Sequence, residues 1–214
     1  MILSFIEIIF HLDKYLLAIV NEYSALAYLI LFLIIFFETG IVVTPFLPGD
    51  SLLFAAGALS AAGSFKLWAL FLVIFIAAVA GDALNYHVGK FIGPKIFSKE
   101  SSWLFQKKHL ARAQRFYEKY GKKTIILARF IPIIRTFAPF VAGIGRMPYG
   151  IFLTYNIIGA ALWSSLFIFG GFFFGNTLWV KEHFGILILA IIFVSLIPLA
   201  KEIIVFLRKK NNTA

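Results

Sequence analysis

The stretch FFETGIVVTPFLPGDSLLFAAG, residues 36–57, is as apolar as a membrane span, yet it carries Glu38, Asp50, Pro45, Pro48 and Gly49. A straight helix does not accommodate that combination, because each proline removes a backbone donor and clashes with the preceding turn. Broken backbone survives at membrane depth only where it is buried in protein or faces water. The segment therefore reads as a hairpin that dips into the bilayer and lines a polar cavity.

The rest of the chain supports the premise of a bilayer. Of 214 residues, 61% are hydrophobic and only 14% charged, too little polar surface to cover a soluble domain. The mean hydropathy is +0.93. Cysteine is absent from the sequence, which removes disulfides, thiolate metal sites and cysteine nucleophiles, and no histidine falls in an HExxH pattern. No metal and no cofactor is expected. The N-terminal MILSFIEIIFHLDKYLLAIV lacks a basic start and contains Glu7 and Asp13, so it is read as retained rather than as a signal peptide. Ser4, Glu7, His11 and Lys14 make a polar stripe on it, as on an interfacial helix.

Charge sets the expected topology. Residues 90–123 hold ten of the twenty Lys and Arg against Glu100 and Glu118, so that segment is expected on the cytoplasmic side, as is the tail bearing Arg208, Lys209 and Lys210. An even number of crossings must separate them, but three apolar blocks do: 124–147, 149–175 and 184–207. The first contains Arg129, Pro132, Arg135 and Pro139, and the eight residues from Thr124 to Ile131 reach only about 12 Å as a helix, against a core of about 30 Å. It is expected to enter and return on one side. The same reasoning makes 24–43 and 67–89 cross and 44–62 dip from outside, with both termini cytoplasmic.

The two dips share a pattern. FLPGD at 46–50 and FIPIIR at 130–135 each place Phe two residues before Pro with a charge following, and small-residue runs, AAGALSAAG and FAPFVAGIG, come next. Interrupted segments in corresponding halves mark the binding site of inverted-repeat transporters. The expected fold is thus an all-α integral membrane protein with about four transmembrane helices, two opposed re-entrant hairpins in an inverted repeat, and interfacial amphipathic helices. Pro45, Pro48, Gly49, Pro132 and Pro139 are the expected hairpin breakers.

Four intramembrane charges follow: Glu38 and Asp50 in the first half, Arg129 and Arg135 in the second. Unpaired, they would cost on the order of 10 kcal/mol together, comparable to the stability of a typical domain. They must pair, or face water or ligand. Arginine's planar fork suits phosphate, whereas a buried carboxylate near a guanidinium can take up and release protons. Arg129 and Arg135 are the expected phosphate-binding residues, Glu38 and Asp50 the proton-coupling ones. Asp82, in GDALNY, ranks second with Tyr86 one turn on, near the cytoplasmic interface, with a structural hydrogen bond as its plain alternative. Residues 105–120 form a basic amphipathic helix with Gly121 as its C-cap, either a positive-inside loop or a collector of anionic headgroups. Trp103, Trp163 and Trp179 are read as belt or packing aromatics.

ETGIVVTPFLPGDSLLFAAGAL, GDALNYHVGKFIG, FYEKYGKKTIILARFIPIIRTFAPFVAGIGRM and YNIIGAALW together resemble the DedA family, the bacterial members of the SNARE-associated or VTT domain group, from about Leu12 to Lys210. The resemblance implies a single membrane domain over 1–207 with a short basic tail, 208–214, in the bacterial cytoplasmic membrane. It implies opposed re-entrant hairpins and essential charges matching Glu38, Asp50, Arg129 and Arg135. Family members are linked to translocation of undecaprenyl phosphate, to the proton motive force and to envelope maintenance, and eukaryotic relatives scramble phospholipids. The expected function is a proton-coupled flippase for undecaprenyl phosphate or a related anionic lipid. The expected partners are that polyisoprenyl phosphate or an anionic phospholipid, and protons, with no nucleic acid and with a homo-oligomer left open. An uncoupled scramblase is the alternative, as is a membrane-homeostasis factor with structural charges. An enzyme acting on lipid phosphates is not expected, since the chain lacks a Gly-x-Ser-x-Gly elbow, a zinc motif and a histidine at either dip.

Overall fold

Two long apolar stretches set the architecture. In a computed structural model that describes residues 24–41, 49–96, 114–115 and 117–177, every regular element is helical. They are α1 (Ser24–Gly40), α2 (Gly49–Ala61), α3 (Leu67–Ile96), a 3-10 turn at Gly121–Lys123, α4 (Thr124–Ala128), α5 (Pro132–Ile144) and α6 (Tyr149–Gly175). The apolar parts of α3 (Leu67–Phe91) and α6 (Tyr149–Gly175) are long enough to cross a membrane, and a third of each is buried inside the protein. Trp68, Leu72 and Ile76 on α3, and Leu162, Leu166 and Phe173 on α6, are exposed, as lipid-facing side chains would be. α1 is 17 residues. Pro45, Pro48, the N-terminal stripe, most of 105–120, Trp103, Trp179, the block at 184–207 and the basic tail lie outside the described residues.

The expected break in the second half is present and has local causes. α4 ends at Ala128, and the amides of Arg129, Phe130 and Ile131 bond to carbonyls three residues back, a tight turn. Ile131 is extended, φ −123° and ψ 105°, as the residue before a proline prefers. Pro132 then opens α5, where its missing donor costs nothing. Pro139 is a correction: it lies inside α5 and does not break it. Its ring removes one hydrogen bond, but the helix runs on to Ile144. Gly49 is the first residue of α2.

Contacts divide the described chain into two units, one of residues 24–27, 49–70 and 167–177, the other of 28–41, 71–96, 114–115 and 117–166. In the first, α2 lies backbone to backbone on the end of α6. A Cβ at Gly57 would collide with the Ile168 carbonyl, and one at Gly171 with the Phe54 carbonyl. Phe54 also meets Phe174, ring centroids 5.8 Å apart.

The second unit repeats that contact with other partners. A Cβ at Gly143 would collide with the Tyr86 carbonyl, and one at Gly89 with the Phe140 carbonyl. FAAG at 54–57 and FVAG at 140–143 thus use the same two positions, each against a residue and a glycine three apart on a long helix. Small residues allow such close approach between apolar helices. α2 and α5 also end alike. The amides of Gly63 and Ser64 bond the carbonyls of Ser60 and Leu59, and those of Arg146 and Met147 bond Gly143 and Ala142. The left-handed position is Gly63 (φ 91°) in one and Arg146 (φ 51°) in the other.

A buried two-arginine cluster as the candidate functional site

The second unit buries polar groups in its interior. Arg129, on the turn that ends α4, points its Nη2 at Asp82 Oδ2 on α3, 2.6 Å away, and both side chains are almost wholly shielded. The same nitrogen bonds Asn156 Oδ1 on α6 at 2.5 Å, and Asn156 Nδ2 donates to the Val79 carbonyl at 3.0 Å. Arg135, in the first turn of α5, donates through Nη2 to Glu38 Oε1 near the end of α1, again buried. Asn85 ties the framework together, its Nδ2 donating to the carbonyls of Thr39 (3.1 Å) and Thr136 (2.8 Å).

These placements follow from the backbone. Arg129 caps α4 with helical backbone angles, φ −58° and ψ −27°, and the restart at Pro132 sets Arg135 within one turn of the break. Trp163 on α6 is fully buried, with its ring 5.2 Å from Arg135 Cζ and 6.0 Å from Arg129 Cζ. It is a wall of the cluster, the packing alternative of its sequence reading rather than the belt one. Both guanidiniums lie within the range of cation–π attraction.

Of the residues singled out from sequence, Glu38, Asp82, Arg129 and Arg135 are brought into two ion pairs. Asp82, ranked second from sequence, pairs with Arg129, while Glu38 pairs with Arg135. Asp50 lies half-buried in the first turn of α2, in the first unit. Tyr86 donates its hydroxyl to the Met147 carbonyl and stacks on Phe152 at 4.5 Å, a packing role. Tyr117 donates to the Ala138 carbonyl at 3.0 Å, and burial, reinforced by the Asp82 charge, pushes its phenol above the ordinary range, so it stays a neutral donor. The helical residues 117–120 lead into Gly121 (φ 58°), as the C-cap reading expects. Asn85, Asn156 and Gly159 were missed. Their available signal was polarity and small size inside otherwise apolar helices.

The cluster has hydrogen-bonding capacity to spare: among the described residues, Arg129 Nε and Nη1 and Asp82 Oδ1 are buried without a hydrogen-bond partner. Buried polar atoms rarely remain so, and such exceptions call for an explanation. Among the described residues no three His, Cys, Asp or Glu come together in a way that could hold a metal ion.

Helices that expose apolar side chains along their length while enclosing arginine–carboxylate pairs define a class, the helical membrane protein with a polar interior. Comparison with known proteins identifies which one. Residues 47–173 match the VTT domain. Protein DedA of Escherichia coli (strain K12) is 51% identical over 201 residues, covering 93% of this chain and 92% of that protein. An uncharacterized membrane protein of Mycobacterium leprae is 43% identical over 165 residues (77% and 74%), and inner membrane protein YghB of Escherichia coli (strain K12) is 32% identical over 173 (76% and 78%). No solved structure matches. The chain belongs to the DedA family of VTT-domain membrane proteins.

Proposed function

We propose that the protein is a proton-coupled lipid transporter of the bacterial cytoplasmic membrane that moves undecaprenyl phosphate, or a related anionic lipid, from the outer to the inner leaflet. The observation that carries this reading is the pair of buried guanidiniums, each held by a carboxylate, beside a break in a helix. A guanidinium fork fits phosphate oxygens as well as carboxylate oxygens. Asp82 and Glu38 each accept from one nitrogen of these guanidiniums.

Two guanidiniums and two carboxylates make a neutral buried cluster. An incoming phosphate adds negative charge where uncompensated charge is costly. Proton uptake by the carboxylates restores the balance and frees the arginines, and this links lipid movement to proton movement. Glu38 serves as a proton carrier at the cluster and Asp50 as a second one at the start of α2, while Asp82 is the counter-ion of Arg129. The hydrocarbon tail stays in the bilayer and the protein carries the headgroup, with no bond made or broken in the lipid.

The topology that goes with this has four crossings, two dips entering from opposite faces, and both termini in the cytoplasm. It is supported by α3 and α6, by the break before Pro132, and by the matching contacts of FAAG and FVAG. The test is in cells: with Arg129→Ala or Arg135→Ala, undecaprenyl phosphate accumulates on the outer leaflet, and an unchanged level overturns the proposal.

A further inference from the structure

Nothing in the transport cycle above uses the YNIIGAALW stretch, yet three of its residues meet the buried arginines. Asn156, Gly159 and Trp163 succeed one another at spacings of three and four and so share one face of α6. Asn156 accepts from Arg129 Nη2 at 2.5 Å and donates to the Val79 carbonyl at 3.0 Å. Its amide orientation is fixed by logic, since guanidinium can only donate and a carbonyl can only accept. At Gly159 a Cβ would stand 3.1 Å from Arg129 Cδ and 3.2 Å from Nε, so the absence of a side chain gives the arginine stem its room. Trp163 lies 6.0 Å from one Cζ and 5.2 Å from the other.

We propose that this face of α6 is a positioning element that keeps Arg129 and Arg135 in place when their carboxylates release them, so that both can grip one phosphate headgroup. The inference rests on the phosphate-lipid reading and assigns it residues that the reading did not use. Carboxylates orient a guanidinium only while ionised. An amide and an indole hold it by dipole and π face, and neither gains nor loses a proton over the range in which carboxylates do. A neutral cradle therefore works in both states of the cycle. An aspartate at 156 would compete with phosphate for the same nitrogen, and an aliphatic side chain at 163 would leave the two guanidiniums without the ring they share.

The test uses the full-length protein with Trp68, Trp103 and Trp179 changed to Phe, so that Trp163 is the one indole. Arg129→Ala and Arg135→Ala are each expected to alter its emission before any lipid is added. Proteoliposomes containing a polyprenyl phosphate then give transport. Asn156→Ala and Trp163→Leu are expected to raise the half-saturating lipid concentration at least ten-fold while eluting as monodisperse protein. Trp163→Phe, which keeps a ring, is expected to lose several-fold less, and Asn156→Asp to move the pH optimum downward, because one more carboxylate must be protonated. A structural residue alone would not move that optimum. Trp163 emission indifferent to both arginines overturns the proposal. So does wild-type half-saturation in Asn156→Ala and Trp163→Leu when the arginine variants are inactive. If Arg129→Ala and Arg135→Ala transport normally, the phosphate-lipid reading itself falls, and this proposal with it.

Discussion

Arg129 and Asp82, forty-seven positions apart in the chain, meet at 2.6 Å inside the protein with almost no exposure of either side chain. The bond joins the turn after α4 to the middle of α3. A buried pair of this kind adds little net stability over an apolar pair of the same shape, but half of it is far worse than none.

Removing one partner of either pair should therefore be severe. Asp82→Ala and Glu38→Ala are each expected to cost about 3–5 kcal/mol, since each takes from a buried guanidinium its hydrogen-bonded carboxylate. Thermal unfolding in detergent measures this. The neutral double variant Asp82→Asn with Arg129→Gln is expected to unfold at a higher temperature than Asp82→Ala alone.

The close helix approaches predict opposite signs for two chemically identical changes. Gly143→Ala forces α5 away from the Tyr86 backbone and is expected to destabilise by about 1–3 kcal/mol. Gly150→Ala meets nothing within 4 Å among the described residues and should stabilise α6 by up to about 1 kcal/mol. Unfolding midpoints of the two variants, read side by side, check the packing directly.

Arg146 holds a left-handed conformation, φ 51°, that suits glycine. The strain is about 1–2 kcal/mol for a residue with a side chain, and glycine's greater entropy in the unfolded chain offsets about half of it. Arg146→Gly should raise stability by about 1 kcal/mol in the same unfolding assay.

Asp50 offers a separation of function from stability. Its place in the first turn of α2 is favourable to the helix dipole by about 0.3–1 kcal/mol. Asp50→Asn should therefore unfold within a few degrees of the wild type, yet lose the dependence of transport on a pH gradient. Parallel unfolding and flux measurements on this variant check both halves.

What sequence made legible was local. The block read as 149–175 is the helix Tyr149–Gly175, and the break was expected where Pro132 and its extended predecessor produce it. Proline chemistry acts on adjacent residues, so it can be read without knowing the fold. Pro139 shows where that reading overreaches, because packed surroundings hold α5 together across it. Which acid meets which arginine was not legible. α3 and α6 are apolar on all sides, so no amphipathic period says which way Asp82 or Asn156 faces. Belt and packing readings of Trp163 could not be separated for the same reason, and its burial beside two cations emerges only once the helices are packed.

The account rests on guanidiniums that exchange carboxylate for lipid phosphate as protons bind. Proteoliposomes holding purified protein and undecaprenyl phosphate, followed for transbilayer movement with and without an imposed pH gradient, test it most directly. Wild-type protein is expected to move lipid in the direction set by the gradient, and Arg135→Ala to move none. Movement that ignores the gradient and persists in Arg135→Ala would contradict the account.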